Sequence, residues 1–290
     1  MNAVLETISQ VGILPVIKIN DSARAAGLGK ALSAGGIPVA EITFRTEAAE
    51  RSIYEIANQV PEVCVGAGTV LTVEQAKAAV AAGARFLVSP GFNPTVTSWC
   101  IENHVPIVPG CATPTEVEAA MGLGLRVLKF FPAEAAGGVA MLKSLASPYS
   151  SIRFIPTGGI TPQTLGSYLS LGNVLACGGS WMVPENLLDN GCFPQITALC
   201  QTAVQEMLGL SLMQVGIGTE VTALPSFLRG EPKQIVMKAR DIPRTIAYFE
   251  RMGMALDQAS AVRDEKGNIL SLLFREQVGG FTLQLCKQHG

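Results

Sequence analysis

Short apolar runs alternate with segments of helical periodicity along the chain as far as about residue 210. Ile13–Asn20, Ile37–Phe44, Glu62–Ala67, Arg85–Ser89, Pro106–Cys111, Arg126–Phe131, Ile152–Pro156 and Val174–Cys177 read as strands. Runs this short, bounded by glycine and proline, suit strands better than helices. Helices are expected to open at Asp21/Ser22, Thr72, Pro94, Thr113-Pro114 and Thr161-Pro162. These residue types either cap a first turn or tolerate its unpaired N–H. Further helices are expected over about 47–59, 138–146 and 193–208.

Eight βα units in about 200 residues predict an α/β fold of the (β/α)8 type, a TIM barrel. A doubly wound open sheet is the alternative. The barrel is preferred because polar and glycine-rich residues recur at the C-terminal ends of nearly all the strands. An open sheet would gather them at one switch point.

From about Gly230 the texture changes. Leu224–Pro232 reads as a linker, with two prolines and a glycine. Gln234–Ala239, Ala259–Arg263, Ile269–Phe274 and Phe281–Leu285 read as strands, and Ile242–Met252 as an amphipathic helix. The Asp264–Asn268 and Gly279-Gly280 turns join the last three strands. The expected division is a (β/α)8 domain over 1–210, a linker over 211–232 and a small α+β module of order βαβββ over 233–290.

Composition narrows the partners. The chain has 290 residues, 48% hydrophobic and 15% charged, which suits strands buried on both faces. A net charge of -2 gives no electrostatic reason to expect nucleic acid or an anionic membrane. No apolar stretch reaches the ~18 residues that begin to span a bilayer. The N-terminus lacks the basic region and cleavage site of a signal peptide. Seven cysteines without a C-x-x-C pair read as reduced core thiols of a cytoplasmic protein. Two histidines, His104 and His289, supply a histidine metal site or a Ser-His-Asp triad poorly. No metal and no cofactor are expected.

Lys129 lies inside the apolar run RVLKFFP. Burying an unpaired ammonium is costly and favours loss of its proton, and a neutral buried amine is the nucleophile that carbonyl chemistry needs. The bland reading is a lysine that snorkels to solvent or pairs with a carboxylate. Glu41, between Ala40 and Ile42, needs a partner if buried. It reads either as a proton shuttle or as a structural ion pair with Arg45 or Lys129. Arg45 offers a fork for a carboxylate, or pairs at the surface with Glu47 or Glu50. Thr157-Gly158-Gly159 and Gly178-Gly179-Ser180 follow the last two strands, where barrels bind phosphate on glycine turns and a helix N-terminus.

PVIKIN, EITFRTE, GAGTVL, SPG, KFFPAEAAGG, PTGGI and GGSWMVP occur in this order. Over roughly Val11–Gly209 the chain resembles the 2-keto-3-deoxy-6-phosphogluconate (KDPG) and 4-hydroxy-2-oxoglutarate (KHG) aldolase family. The resemblance implies a class I pyruvate aldolase on a (β/α)8 barrel, assembled as a homotrimer. Lys129 would form the Schiff base and Glu41 would be the general acid/base. Arg45 and Thr69 would hold the pyruvate carboxylate, with Pro90 lining that pocket. Thr157, Gly158, Gly159 and Ser180 would bind the phosphate. KIN on the first strand is a small departure from the family's pattern. The implied reaction cleaves 2-keto-3-deoxy-6-phosphogluconate, a small keto-acid phosphate, to pyruvate and glyceraldehyde 3-phosphate. Cleavage of 4-hydroxy-2-oxoglutarate to pyruvate and glyoxylate is one alternative, and a catalytically silent phosphate-metabolite binding barrel is another.

The stretch from QIVMKARDIPRTIAYFERMGM to GGFTLQL resembles half of a glyoxalase/vicinal-oxygen-chelate domain. Gln234 and Gln284 stand where that superfamily places metal ligands, and neutral amides are poor ligands for a divalent ion. A single module leaves a strand edge and an apolar face to cover. It is expected to pair with the same module of another chain and extend the oligomer. A small-molecule sensor docked on the barrel is the rival reading.

Overall fold

A buried strand feeding a capped helix is the repeating step of the first of two units, Met1–Met207 and Leu208–Gly290. The computed structural model describes residues 2–217, 233–278 and 281–288. In the first unit α1 (Ala3–Val11) leads into β1 (Ile13–Ile17), α2 (Ala25–Ala34), β2 (Val39–Thr43), α3 (Ala49–Gln59) and β3 (Cys64–Gly68). Then come α4 (Val73–Ala81), β4 (Leu87–Val88), α5 (Pro94–Glu102), β5 (Ile107–Val108), β6 (Gly110–Cys111) and α6 (Pro114–Gly122). The unit continues with β7 (Val127–Phe130), α7 (Gly138–Ala146), β8 (Arg153–Pro156), α8 (Pro162–Leu169), β9 (Cys177–Gly179) and α9 (Glu185–Asp189). α10 (Phe193–Leu208) follows.

Local chemistry explains the helix starts. Thr72, Thr113 and Thr161 each accept from the N–H three residues on, and Gln75, Glu116 and Thr164 return the bond. These capping boxes satisfy donors that the first turn leaves unpaired. Burial follows the helical period. α3 buries Ala49, Ser52, Ile53 and Ile56, one stripe facing the sheet.

The strands of this unit form a curled parallel sheet. One row runs β5-β4-β3-β2-β1-β9 and another β6-β7-β8. Isolated parallel bridges join Phe154 to Val174 and Thr157 to Gly178. β2 and β3 are buried at every residue, as strands covered on both faces must be. Register sets the neighbours that matter: Glu41 lies between Val16 and Gly66, and Lys129 between Gly110 and Ile155.

The clearest differences from the sequence expectation in this unit concern four elements. The last strand falls on Cys177–Gly179 instead of Val174–Cys177, and Val174 makes only a bridge. The fifth strand breaks at Pro109, which has no N–H to give a ladder, into β5 and β6. α1 and α9 were not anticipated. Asn2 caps α1, accepting from the Val4 N–H.

In the second unit, β10 (Ser211–Ile217), β11 (Lys233–Ala239), α11 (Ile242–Arg251), β12 (Leu256–Arg263), β13 (Ile269–Val278) and β14 (Phe281–Lys287) form a five-stranded sheet with one helix. The strand order is β10-β11-β14-β13-β12, with β11 and β14 parallel and the other pairs antiparallel. Ile242, Ile246, Leu256, Leu272, Phe274, Leu283 and Leu285 build its core. Ser211–Ile217, expected within a linker, is therefore a strand, because its backbone groups pair antiparallel with β11. The rest of the expected linker (218–232), the Gly279-Gly280 turn, His289 and the Gln234 side chain lie outside the described residues. No helix among the described residues is long and apolar enough to cross a membrane.

Candidate active site

β2 and β7 each carry one charged residue where the fold buries everything else. Glu41 is 1% exposed and Lys129 5%. Lys129 Nζ lies 3.3 Å from Glu41 Oε1 and 5.3 Å from the centre of the Phe131 ring. The mutual attraction of such a pair offsets only part of the cost of removing both charges from water. Glu41 Oε2 is buried and has no hydrogen-bond partner among the described residues, so this oxygen can accept a proton from a bound molecule. The sequence also makes room for the carboxylate: a Cβ at Gly68 would fall 2.1 Å from Glu41 Oε1. The ion pair that the bland reading anticipated is thus present, and it lies beside a cavity.

That cavity, of ≈ 390 Å³, is lined by Arg45, Lys129, Thr157, Gly158, Gly159 and Ser180 among others. Arg45 follows the end of β2 by two residues, and its Nε donates to Thr69 Oγ1 at 3.2 Å. It makes no ion pair with Glu47 or Glu50 among the described residues. Thr69 is a β-branched residue held at φ 56, a strained conformation. It touches the site through Arg45 and is not itself a wall of the cavity. Pro90 is not a wall either.

On the other side, the turn after β8 is tied to the end of β7. Thr157 N–H donates to Phe130 O, Ala133 N–H to Thr157 O and Glu134 N–H to Gly158 O. Gly158 and Gly159 sit at φ 102 and φ 82, which a side chain rarely tolerates, so the cavity meets bare backbone there. Thr161 caps α8 immediately afterwards, which places the positive end of that helix behind the turn. Ser180 is exposed at the end of β9.

Of the residues singled out in the sequence, Lys129, Glu41, Arg45, Thr157, Gly158, Gly159 and Ser180 converge. Thr69 supports the group through Arg45, and Pro90 packs its carbonyl against Gly110, the β6 neighbour of Lys129. Sequence reasoning did not assign Lys18 and Glu185, which also line the cavity and bond to each other at 2.9 Å. The available signal for Lys18 was its place as a cation just past the C-terminal end of β1, where parallel strands gather a site. Glu185 offered no signal, because it opens a five-residue helix too short for a periodic pattern. No group of three or more His, Cys, Asp or Glu is placed to hold a metal ion among the described residues.

The burial of the thiols has a chemical consequence. None of the seven cysteines, all among the described residues, forms a disulfide. Burial pushes the Cys100 thiol up to about 11 and the Cys200 thiol up to about 12. Burial, with the Glu116 carboxylate adding, raises Cys111 to about 12. Raised this far, these thiols are poor nucleophiles.

Known proteins resemble the first unit of the chain. The family model for KDPG and KHG aldolase matches residues 4–199. The 2-dehydro-3-deoxy-phosphogluconate aldolase of Treponema pallidum is 49% identical over 205 residues, covering 71% of this chain and 98% of that protein. The KHG/KDPG aldolase of Escherichia coli K12 is 45% identical over 193 residues, covering 67% of this chain and 91% of that protein. A crystal structure of KDPG aldolase from Legionella pneumophila, with pyruvate captured as a covalent carbinolamine intermediate, aligns with a TM-score of 0.67 at 40% identity. That alignment covers 69% of this chain and 97% of the other.

Proposed function

The chain belongs to the KDPG and KHG aldolase family, and we infer from its cavity how it works as a Schiff-base lyase. It cleaves 2-keto-3-deoxy-6-phosphogluconate to pyruvate and glyceraldehyde 3-phosphate. The observation that carries the mechanism is the buried Lys129–Glu41 pair, 3.3 Å apart, beside a cavity that also holds Arg45 and the glycine turn.

In this reading Lys129 Nζ attacks the C2 carbonyl, and loss of water leaves an iminium. Arg45, steadied by Thr69, holds the C1 carboxylate. Glu41 removes the proton from the C4 hydroxyl. The C3–C4 bond breaks, its electron pair moves into the iminium to give an enamine, and the aldehyde leaves. Glu41 returns the proton to C3, and hydrolysis of the new iminium frees pyruvate and Lys129. Thr157, Gly158, Gly159 and Ser180 would hold the phosphate through backbone N–H groups and a hydroxyl. Pro90 would line the pyruvate pocket from behind Gly110, the β6 neighbour of Lys129.

The E. coli relative is named for both substrates. Cleavage of 4-hydroxy-2-oxoglutarate is accordingly a second reading of the same pyruvate half-site, and comparing kcat/KM for the two substrates separates them. A binding barrel without catalysis is disfavoured, since binding alone has no use for a buried lysine. Two features favour closure into a (β/α)8 barrel: β5 runs through Pro109 into β6, which pairs with β7, and the Thr157–Gly178 bridge joins the other seam.

For the assembly we take a homotrimer, with the second unit, whose elements from β11 onward keep the glyoxalase-like βαβββ order, serving as a pairing module. Tyr54, Leu71, Ile101 and Leu123, large apolar side chains exposed on the first unit, support a covered surface. Deleting Leu208–Gly290 should lower the mass measured by light scattering by more than the deleted residues account for; a trimer of unchanged order removes the pairing role. The free thiols suit a reducing cytoplasm.

Borohydride reduction in the presence of pyruvate, followed by peptide mass spectrometry, tests the chemistry. A pyruvate-derived adduct on Lys129 is expected. An adduct on another lysine, or none in folded protein, overturns the mechanism.

A further inference from the structure

The cavity carries three cations, Lys18, Arg45 and Lys129. The substrate brings a carboxylate and a phosphate, the latter close to doubly charged at neutral pH. In the mechanism above, Arg45 is taken by the carboxylate and Lys129 by the imine. The proposed phosphate site then offers only neutral donors, namely the backbone of a glycine turn and the Ser180 hydroxyl.

Lys18 stands on that side of the cavity. β1 pairs with β9 in parallel, with Pro15 opposite Gly179, so the next residues along the two strands are Val16 and Ser180. Lys18 follows Val16 by two residues, just past the end of β1, and both line the cavity. Its Nζ is held by Glu185 Oε2 at 2.9 Å, and the two side chains are 39% and 54% exposed. An ion pair this wet is weak, so a dianion can replace the carboxylate as the partner of the lysine.

We propose that Lys18 is a specificity-determining residue that binds the substrate's phosphate, exchanging Glu185 for it. This rests on the phosphate-binding reading of the 157–159 turn and Ser180. Glu185 acts as the resident counter-ion, neutralising Lys18 before substrate arrives and competing with weaker anions for it.

The test compares kcat/KM for 2-keto-3-deoxy-6-phosphogluconate with that for the same keto acid without its phosphate. In Lys18→Met the ratio should fall about tenfold to a hundredfold, the range for losing a hydrogen bond to a charged group. The loss should lie mostly in KM, and Lys18→Arg should recover most of it. Glu185→Gln should act in the opposite direction, with inorganic phosphate inhibiting at lower concentration. Borohydride trapping of pyruvate on Lys129 in each variant checks that the site is intact. A wild-type ratio well above one that survives Lys18→Met overturns the role of Lys18 and leaves the phosphate turn standing. A wild-type ratio near one removes the phosphate site itself, and this inference with it. Weaker inhibition by phosphate in Glu185→Gln overturns the exchange.

Discussion

The two units bury polar residues for different reasons. In the second unit, Arg244 and Thr245 are buried, and both are tied to the cap of α11. Arg244 N–H donates to Asp241 Oδ1, its guanidinium lies 3.3 Å from Asp241 Oδ2, and Thr245 Oγ1 donates to Asp241 O. These contacts are local and start a helix. In the first unit, Glu41 and Lys129 are 88 residues apart in sequence, and their contact starts no element. A buried charge paired within its own turn helps to start its helix. One satisfied across the sheet, beside a cavity and with an oxygen left over, points to chemistry. The relatives show the same division: about 71% of this chain accounts for 98% of the T. pallidum enzyme, and the family match ends at residue 199, before the second unit begins.

Substitutions can break this contrast at its strongest point first. Lys129→Ala should abolish cleavage while circular dichroism shows the fold retained; turnover within tenfold of wild type would remove the nucleophile. Glu41→Gln should lower kcat by about 10²–10⁴-fold, the usual worth of a positioned acid/base. Leu272→Ala in the second unit should do the reverse. It deletes a fully buried side chain and should cost about 2–5 kcal/mol in denaturant unfolding of that unit, with kcat/KM for cleavage unchanged.

The smallest effect concerns α6. Its cap residue Thr113 should cost about 1 kcal/mol as Thr113→Ala. The Glu116 carboxyl is held below the ordinary carboxylate range, first by the Ala112 N–H and then by the Thr113 hydroxyl and N–H, against partial burial. A carboxyl lowered in the folded state contributes stability above its unfolded pKa and loses it as pH falls through the folded value. Wild type should therefore melt higher than Glu116→Gln at pH 7, with the gap closing in acid. A gap that widens in acid would contradict the bonding described.

Much of this was legible in the sequence because one local signal recurs. Threonine followed by proline opened α6 and α8, and the apolar run around Lys129 marked β7. Strand β9 was misplaced because Cys-Gly-Gly has little intrinsic preference for a strand, and its pairing with β1 decides the matter. Strand β10 reads as linker in the sequence because only its register with β11 reveals it. The residue types of the site could be read, but its contacts could not. That Arg45 turns to Thr69, or that Lys18 meets Glu185 from 167 positions away, depends on how the strands curl.

Gly68 has a bearing on how such a chain can diverge. It contributes no proton, charge or donor to the cavity, yet any side chain there would occupy the space of the Glu41 carboxylate. Drift at position 68 is therefore closed for as long as Glu41 stays in use and opens once it is dispensed with. In a descendant of this chain, that single letter would serve as a gauge of whether the proton is still being moved, legible before any assay is run.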